Sequence, residues 1–405
     1  MTREFVETAE QWLRSLPSDW RLMSPKVLFT ERREPCHIND VHLTPSQTYG
    51  VLPQSEYMEV TGNNVVLNLQ GQNSMKHVDP DDFIIHLRSF QGGLERSTVT
   101  GKVSTAYTVL TPQNGVVAGY YRWLLKSDGY IQELRTTTNQ LRDGQSIKYR
   151  DFVKVMLPVP QEDEQQSIAD YLDRETAQID VLIAEQRRLV EMLKKRILSF
   201  SDQCFYGASG KRTVLLKRVL QRLDRPAVPG LGVVTAYRDG AVTLRSNRRE
   251  DGYTFSEKED GYQEVRPGDL VFHGLDGFSG AVGISDSRGN ATPVYHVCEA
   301  IAGDDPEYVA LLLRYLGTSG FLATQAPNVR QRAVDFRNWT TFARIPLSLP
   351  DLSTQRSVVH NMREQVTRTD TLIAESERLI ELSQERRSAL ITAAVTGQID
   401  VRRGV

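Results

Sequence analysis

Two short strings carry side chains of the kind that read DNA. RSFQGG (88–93) sets Arg88, Ser89 and Gln91 beside Gly92 and Gly93 in a turn-forming stretch. Arginine reaches guanine bidentately in the major groove, glutamine reaches adenine, and glycine lets the backbone approach a phosphate closely. HGLDGFSG (273–280) is the counterpart, opening on the further candidates His273 and Gly274 and carrying Asp276 and Ser279 in place of the Arg/Gln set. Late in each half of the chain, TTTNQLRDGQSIKYR (136–150) holds Arg142 and TQAPNVRQRAVDFRNW (324–339) holds Arg330 and Arg332. KRTVLLKRVLQRLDR (211–225) and RSNRRE (245–250) add local positive charge suited to phosphates. Taken singly, Arg, Gln and Asn on loops are ordinary solvated groups, so the case rests on the strings as a set.

Catalytic chemistry is not written in the chain. GASGKRT (207–213) lacks the Walker spacing and marks an exit from a helix. There is no N-P-P-Y or D-P-P-Y string for gripping a flipped adenine, no G-x-S-x-G and no H-E-x-x-H. Pro80-Asp81 and Pro350-Asp351 could begin a nuclease signature, but no suitably spaced acid-x-Lys follows. No two of the seven histidines share a metal-ligand spacing, and His86 and His273, at matched positions after a strand, suit turn roles. No metal site is expected.

The elements that must carry these strings follow from length and pattern. A chain of 405 residues, 40% apolar and 25% charged, holds two to three globular domains. A net charge of −2 gives no global basic field, so a nucleic-acid surface must be local. Cys36, Cys204 and Cys298 lie far apart without a C-x-x-C pair, which suits a reducing cytoplasm. No apolar run approaches the roughly 20 residues of a membrane span, and the N-terminal residues do not form a signal peptide.

The strongest pattern is a repeat. DVLIAEQRRLVEMLKKR (180–196) and DTLIAESERLIELSQER (370–386) lie 190 residues apart, and the offset holds from Leu157/Leu347 to Gly207/Gly397 without a gap. Absence of insertions over about fifty residues suits a long helix in register with a partner. In the first copy, the acids after LPVP complement a helix dipole. Its apolar seam reads Ile168, Leu172, Ile179, Leu182, Leu189 and Leu193, with Glu175 and Gln186 between. The second reads Val358, Met362, Gln365, Thr369, Leu372, Ser376, Leu379 and Ser383, with Ile373, Ile380 and Leu382 widening the stripe. Two such helices in one chain predict an intramolecular antiparallel pair.

The flanking segments repeat as well. VDPDDFIIHLRSFQGG (78–93) parallels VRPGDLVFHGLDGFSG (265–280), and GKVSTAYTVL (101–110) parallels GNATPVYHVC (289–298). Short strands with one helix each, near 120–127 and 306–316, are expected. The fold class is α+β: two similar recognition domains of mainly short strands, separated by two long helices pairing as an antiparallel coiled coil with pseudo-two-fold symmetry. The expected divisions are 1–156, 157–207 for the first helix, 208–346, and 347–405 for the second helix and tail.

This order of parts resembles the specificity subunit of type I restriction-modification systems, the HsdS family. The resemblance rests on P-x-x-x-E-Q-x-x-I (Pro160, Glu164, Gln165, Ile168), the repeated D-x-L-I-A-E, and Pro267–Gly280, and spans essentially the whole chain. The second copy departs from it, with Ser353-Thr354 where the first has Asp163-Glu164; Ser353 could cap that helix instead. The resemblance implies two domains reading the unlike halves of a split double-stranded DNA target, and paired helices that set the unread spacer. It implies two methyltransferase subunits and, in the full complex, restriction subunits as partners. No cofactor is expected on this chain; S-adenosylmethionine, ATP and magnesium would sit on the partners, and the chain would not itself be an enzyme. A self-sufficient DNA enzyme and a stand-alone coiled-coil DNA-binding regulator are the other classes.

Overall fold

The computed structural model describes residues 3–63, 75–87, 89–137, 147–206, 211–248, 261–325 and 335–401. The chain divides into two compact units, Met1–Arg187 with Glu377–Val405, and Arg188–Ser376. Two long helices, Glu162–Tyr206 and Leu352–Val395, each begin in one unit and end in the other. No helix among the described residues is long and apolar enough to cross a membrane.

The first unit holds a four-stranded antiparallel sheet in the order Phe29–Arg32, Thr108–Pro112, Phe83–Ile85, Glu95–Arg96. Phe83–Ile85 is buried on both faces, as its unbroken apolar run requires. Three two-stranded ladders surround it: Leu43–Ser46 with Gly50–Pro53, Lys76–Val78 with Gly101–Val103, and Arg21–Met23 with Leu157–Val159. Phe29 anchors the core, meeting Phe83, Tyr121 and Phe152 edge-on at 5.3–5.7 Å between centroids.

The second unit repeats that topology strand for strand. Its sheet runs Leu220–Arg222, Tyr295–Ala300, Leu270–His273, Val282–Ile284. Its ladders join Val234–Ala236 to Val242–Leu244, Gln263–Val265 to Gly289–Ala291, and Arg212–Leu215 to Pro346–Leu349. The register agrees as well: Leu110 lies opposite Phe83 and Glu31, as Cys298 lies opposite Leu270 and Arg222. Before each central strand the chain turns with a left-handed residue, Asp81 (φ 75°) in one unit and Gly268 (φ 94°) in the other. The domain-start ladder Phe5–Glu7 with Ser15–Pro17 has no counterpart among the described residues.

Within the first unit the long helices run antiparallel. Ile168 and Leu172 share a core with Ile391, Ala394 and Val395, and farther along Asp180 meets Arg387 at 2.9 Å. Within the second unit the end of the first helix, at Phe205, packs with the start of the other, at Val358, Val359 and Met362.

The buried stripe differs from the expected seam. Ile168, Leu172, Ile179 and Leu193 are buried, as are Val358 and Met362. Leu182 (36% exposed), Leu372 (41%) and Leu379 (39%) instead face solvent, and Leu189 is half-buried. The stripe steps four residues from Ile179 to Ile183 and continues through Val190, while the second helix buries Thr369, Ser376 and Ser383 as drawn and turns only its leucines outward. A strict heptad drifts about 20° per repeat against a 3.6-residue helix, and in the middle of the first helix burial passes from Leu182 to Ile183 and from Leu189 to Val190 before returning to the drawn seam at Leu193. Ser353 is not the cap of the second helix: Asp351 Oδ1 accepts the Thr354 amide at 3.0 Å and the Ser353 hydroxyl at 2.5 Å. Those bonds hold the Asp351 carboxyl well below the usual range.

Candidate nucleic-acid interface

The turn after each central strand carries the first candidate residues. In the first unit the Ser89 hydroxyl accepts the His86 amide at 2.9 Å and is fully buried. Gly93 (φ 81°) is buried too, and a Cβ there would lie 2.1 Å from the Leu125 carbonyl. A Cβ on Gly92 would meet the Gln47 side chain at 2.7 Å. The expected surface roles of Ser89 and Gly93 are therefore corrected: both shape the turn, and of the described residues in this string Gln91 is the exposed side chain.

In the second unit His273 Nδ1 accepts two amides, Leu275 at 3.1 Å and Asp276 at 3.0 Å. Burial lowers its pKa, so the ring is a neutral turn former with its edge against Tyr295. Gly274 is buried, its amide donating to the Val294 carbonyl, so it too packs rather than presenting a surface. Asp276 pairs with Arg238 at 3.1 Å, and Ser279 is partly exposed beside it. Each unit thus gathers its turn candidates in one place. Arg88, Arg142, Arg330 and Arg332 lie outside the described residues.

Among the basic strings, Lys217, Arg218 and Arg222 are exposed. Arg212 and Arg225 instead make internal pairs, with Asp304 at 2.6 Å and Asp269 at 2.5 Å. Arg248 lies over the Tyr237 ring at 4.7 Å and pairs with Asp239 at 2.6 Å.

How these turns are mounted was not readable from the motifs alone. Gln165 is 1% exposed; its Oε1 accepts the Val117 amide at 2.9 Å, and its Nε2 donates to the Gly115 and Pro160 carbonyls at 3.0 Å. Gln355, also 1% exposed, accepts the Asp305 amide at 2.8 Å and donates to the Pro350 carbonyl at 2.9 Å and Asp304 at 2.7 Å. Val117 and Asp305 each open a helix of the recognition module. The repeated glutamine therefore fixes, in each unit, a module helix to the start of a long helix. In the first unit Glu164 adds to this, accepting from Trp20 Nε1 at 2.9 Å and pairing with Arg3 at 2.8 Å.

A second matched device steadies the turn before each central strand. Asp82 Oδ2 accepts the Asp79 amide at 2.8 Å and pairs with Arg32 at 2.8 Å; Asp269 Oδ2 accepts the Arg266 amide at 2.7 Å and pairs with Arg225. Burial raises the Asp82 pKa, with Arg32 opposing. The signal available was the repeated Asp82/Asp269 alone, since the arginines come from nonequivalent positions.

No family model matches the sequence, and no curated protein matches it. Solved structures do. The HsdS subunit from Thermoanaerobacter tengcongensis is 13% identical with a TM-score of 0.56, covering 95% of this chain and 98% of its own. A chain from a structure concerned with complex assembly and conformational transition of the type I R-M system is 12% identical with a TM-score of 0.63, covering 95% and 99%. The likeness runs over nearly the full length of both chains, and this chain has the fold of the HsdS subunit of type I restriction-modification systems.

Proposed function

We propose that the chain is the DNA-specificity subunit of a type I restriction-modification complex. One recognition domain, within 1–156, reads one half of a bipartite asymmetric target, and the other, within 208–346, reads the second half. The helices of 157–207 and 347–405 set the unread spacer and recruit two methyltransferase subunits, with restriction subunits joining the full complex. The chain itself is non-catalytic and carries none of the reaction's cofactors, S-adenosylmethionine, ATP and magnesium belonging to the partners; its place is the cytoplasm.

The observation that carries this reading is the duplication: two modules with one strand order, each clamped by a buried glutamine to a long helix. Differing accessible side chains on a common frame, Gln91 against Asp276 and Ser279, suit two unlike half-sites.

Co-expression with a type I methyltransferase subunit, followed by single-base mapping of N6-methyladenine, tests the reading. A gapped two-part motif that needs both chains is expected, and exchanging residues 1–156 for a relative's should change one half only. A stable DNA-binding complex without new methylation would favour a stand-alone regulator, and methylation by this chain alone would refute the non-catalytic role.

A further inference from the structure

In the first unit, the connection after strand Phe29–Arg32 is zipped along strand Lys76–Val78. The Cys36 amide donates to the Met75 carbonyl at 2.9 Å, the His77 amide to the Glu34 carbonyl at 3.0 Å, and Pro35 bridges Lys76. Glu34, His37 and His77 stand together on this zip, one ligand atom of each lying within 4.8 Å of the others. His37 Nε2 meets Glu34 Oε1 at 2.9 Å, and the two imidazoles stack with centroids 4.0 Å apart.

The surroundings orient these donors. His77 Nδ1 meets Asp40 Oδ2 at 2.8 Å, and that same oxygen accepts the His37 amide at 2.6 Å. On the other side His77 Nε2 faces Asp79 Oδ1 at 3.2 Å. Arg32 holds Glu34 Oε2 at 2.7 Å and Asp79 Oδ2 at 3.1 Å, which turns their remaining oxygens toward the imidazoles. His77 is buried, whereas Glu34 and His37 are exposed and can close in.

The second unit shows that the backbone does not need this cluster. There the Glu264 amide donates to the Arg225 carbonyl at 3.2 Å, and Pro226 bridges Gln263. The matched frame puts Arg225 in the place of Glu34, Val228 in that of His37, Glu264 in that of His77, and Arg266 in that of Asp79. Glu264 pairs with Arg266 at 2.8 Å and Arg288 at 2.7 Å. The same zip is thus served by an ion-pair set with no imidazole.

We propose that Glu34, His37 and His77 form a structural site for a zinc-class divalent ion, with Asp79 as the nearest further donor. Two imidazoles and a carboxylate suit zinc, and donors around a tetrahedral ion lie about 3.3 Å apart, a closure open to the two exposed side chains. Asp40, accepting from His77 Nδ1, is the outer carboxylate that fixes a ligating imidazole through Nε2. The ion staples the connection 33–42 to the strand beside it.

The full-length chain, stripped with a chelator and titrated with cobalt(II), tests the site. One equivalent should bind with visible d–d absorption that zinc abolishes, and zinc should raise the thermal midpoint. His37→Ala, an exposed change whose fold circular dichroism verifies, should remove both effects. Asp40→Asn should weaken zinc binding about 10–100-fold, while His360→Ala, on the second long helix, should change neither. Absence of cobalt absorption at tens of micromolar, or absorption that survives His37→Ala, would overturn the assignment.

Discussion

Gln165 Oε1 accepts the Val117 amide at 2.9 Å across 48 residues of sequence, and Gln355 makes the same bond to Asp305 across 50. Gln165→Leu would strand the part-buried Val117 amide and the buried Pro160 carbonyl, which costs roughly 1–3 kcal/mol. Gln165→Glu keeps the acceptor but turns an oxygen toward the Gly115 and Pro160 carbonyls, so it should also destabilise. Urea unfolding gives the size, and hydrogen exchange at 115–121 locates the loss. Midpoints equal to wild type would remove the clamp from the account.

The buried stripe separates two neighbouring residues. Ile183→Ala should cost about 2–5 kcal/mol, whereas Leu182→Ala should cost under about 1 kcal/mol. Equal losses in a denaturant series would restore the heptad seam as first drawn.

Acid should weaken the second unit in two windows. Burial pulls the His296 pKa below its ordinary value, although Nε2 bonds the Phe336 carbonyl at 2.6 Å. Its contribution is complete above the unfolded pKa of about 6.5 and declines as pH falls toward the folded one, because the unfolded chain then binds the extra proton. Hydrogen bonds from Arg266 and Arg288 lower Glu264 from 4.5 to about 2, so its contribution is present above 4.5 and is lost as pH falls toward 2. Stability against pH, compared with His296→Phe, checks the upper window; that variant should lose the decline just below 6.5.

Under the proposed function, phosphate and base contacts part company. Lys217→Ala with Arg218→Ala should weaken binding on matched and unmatched duplexes alike and reduce the salt slope by roughly 1–2. Arg330→Ala or Arg332→Ala should relax one half-site by about 1–3 kcal/mol. Fluorescence anisotropy across a salt series distinguishes these outcomes, and a loss confined to the matched duplex would assign Lys217 or Arg218 to base reading.

Much of the fold was legible because a duplication prints its own alignment. Matching Pro80-x-Asp82 to Pro267-x-Asp269 placed both central strands, and the ladder registers reproduce that match. Period alone could not choose between Leu182 and Ile183, since both neighbours are aliphatic and one step of phase decides which is buried. The turn strings were legible as turns but not as surfaces: Ser89 had the right chemistry and the wrong exposure, because its hydroxyl bonds the His86 amide. His37 and His77, 40 residues apart, meet only through a strand ladder, so no local spacing could announce them.

The division of the long helices between units also sets an order of assembly during synthesis. Arg188–Ser376 is one uninterrupted stretch and can complete its core as soon as it has been made. The other unit cannot: Trp20, Tyr120 and Leu172 wait for Ile391, Ala394, Val395 and Val401, which the ribosome supplies only after the whole second unit. At about 5–20 residues per second, the N-terminal module spends many seconds with that apolar face uncovered. Truncation shortly before Glu377 would leave a finished second unit attached to a first one with an open core, a natural substrate for chaperones and proteases.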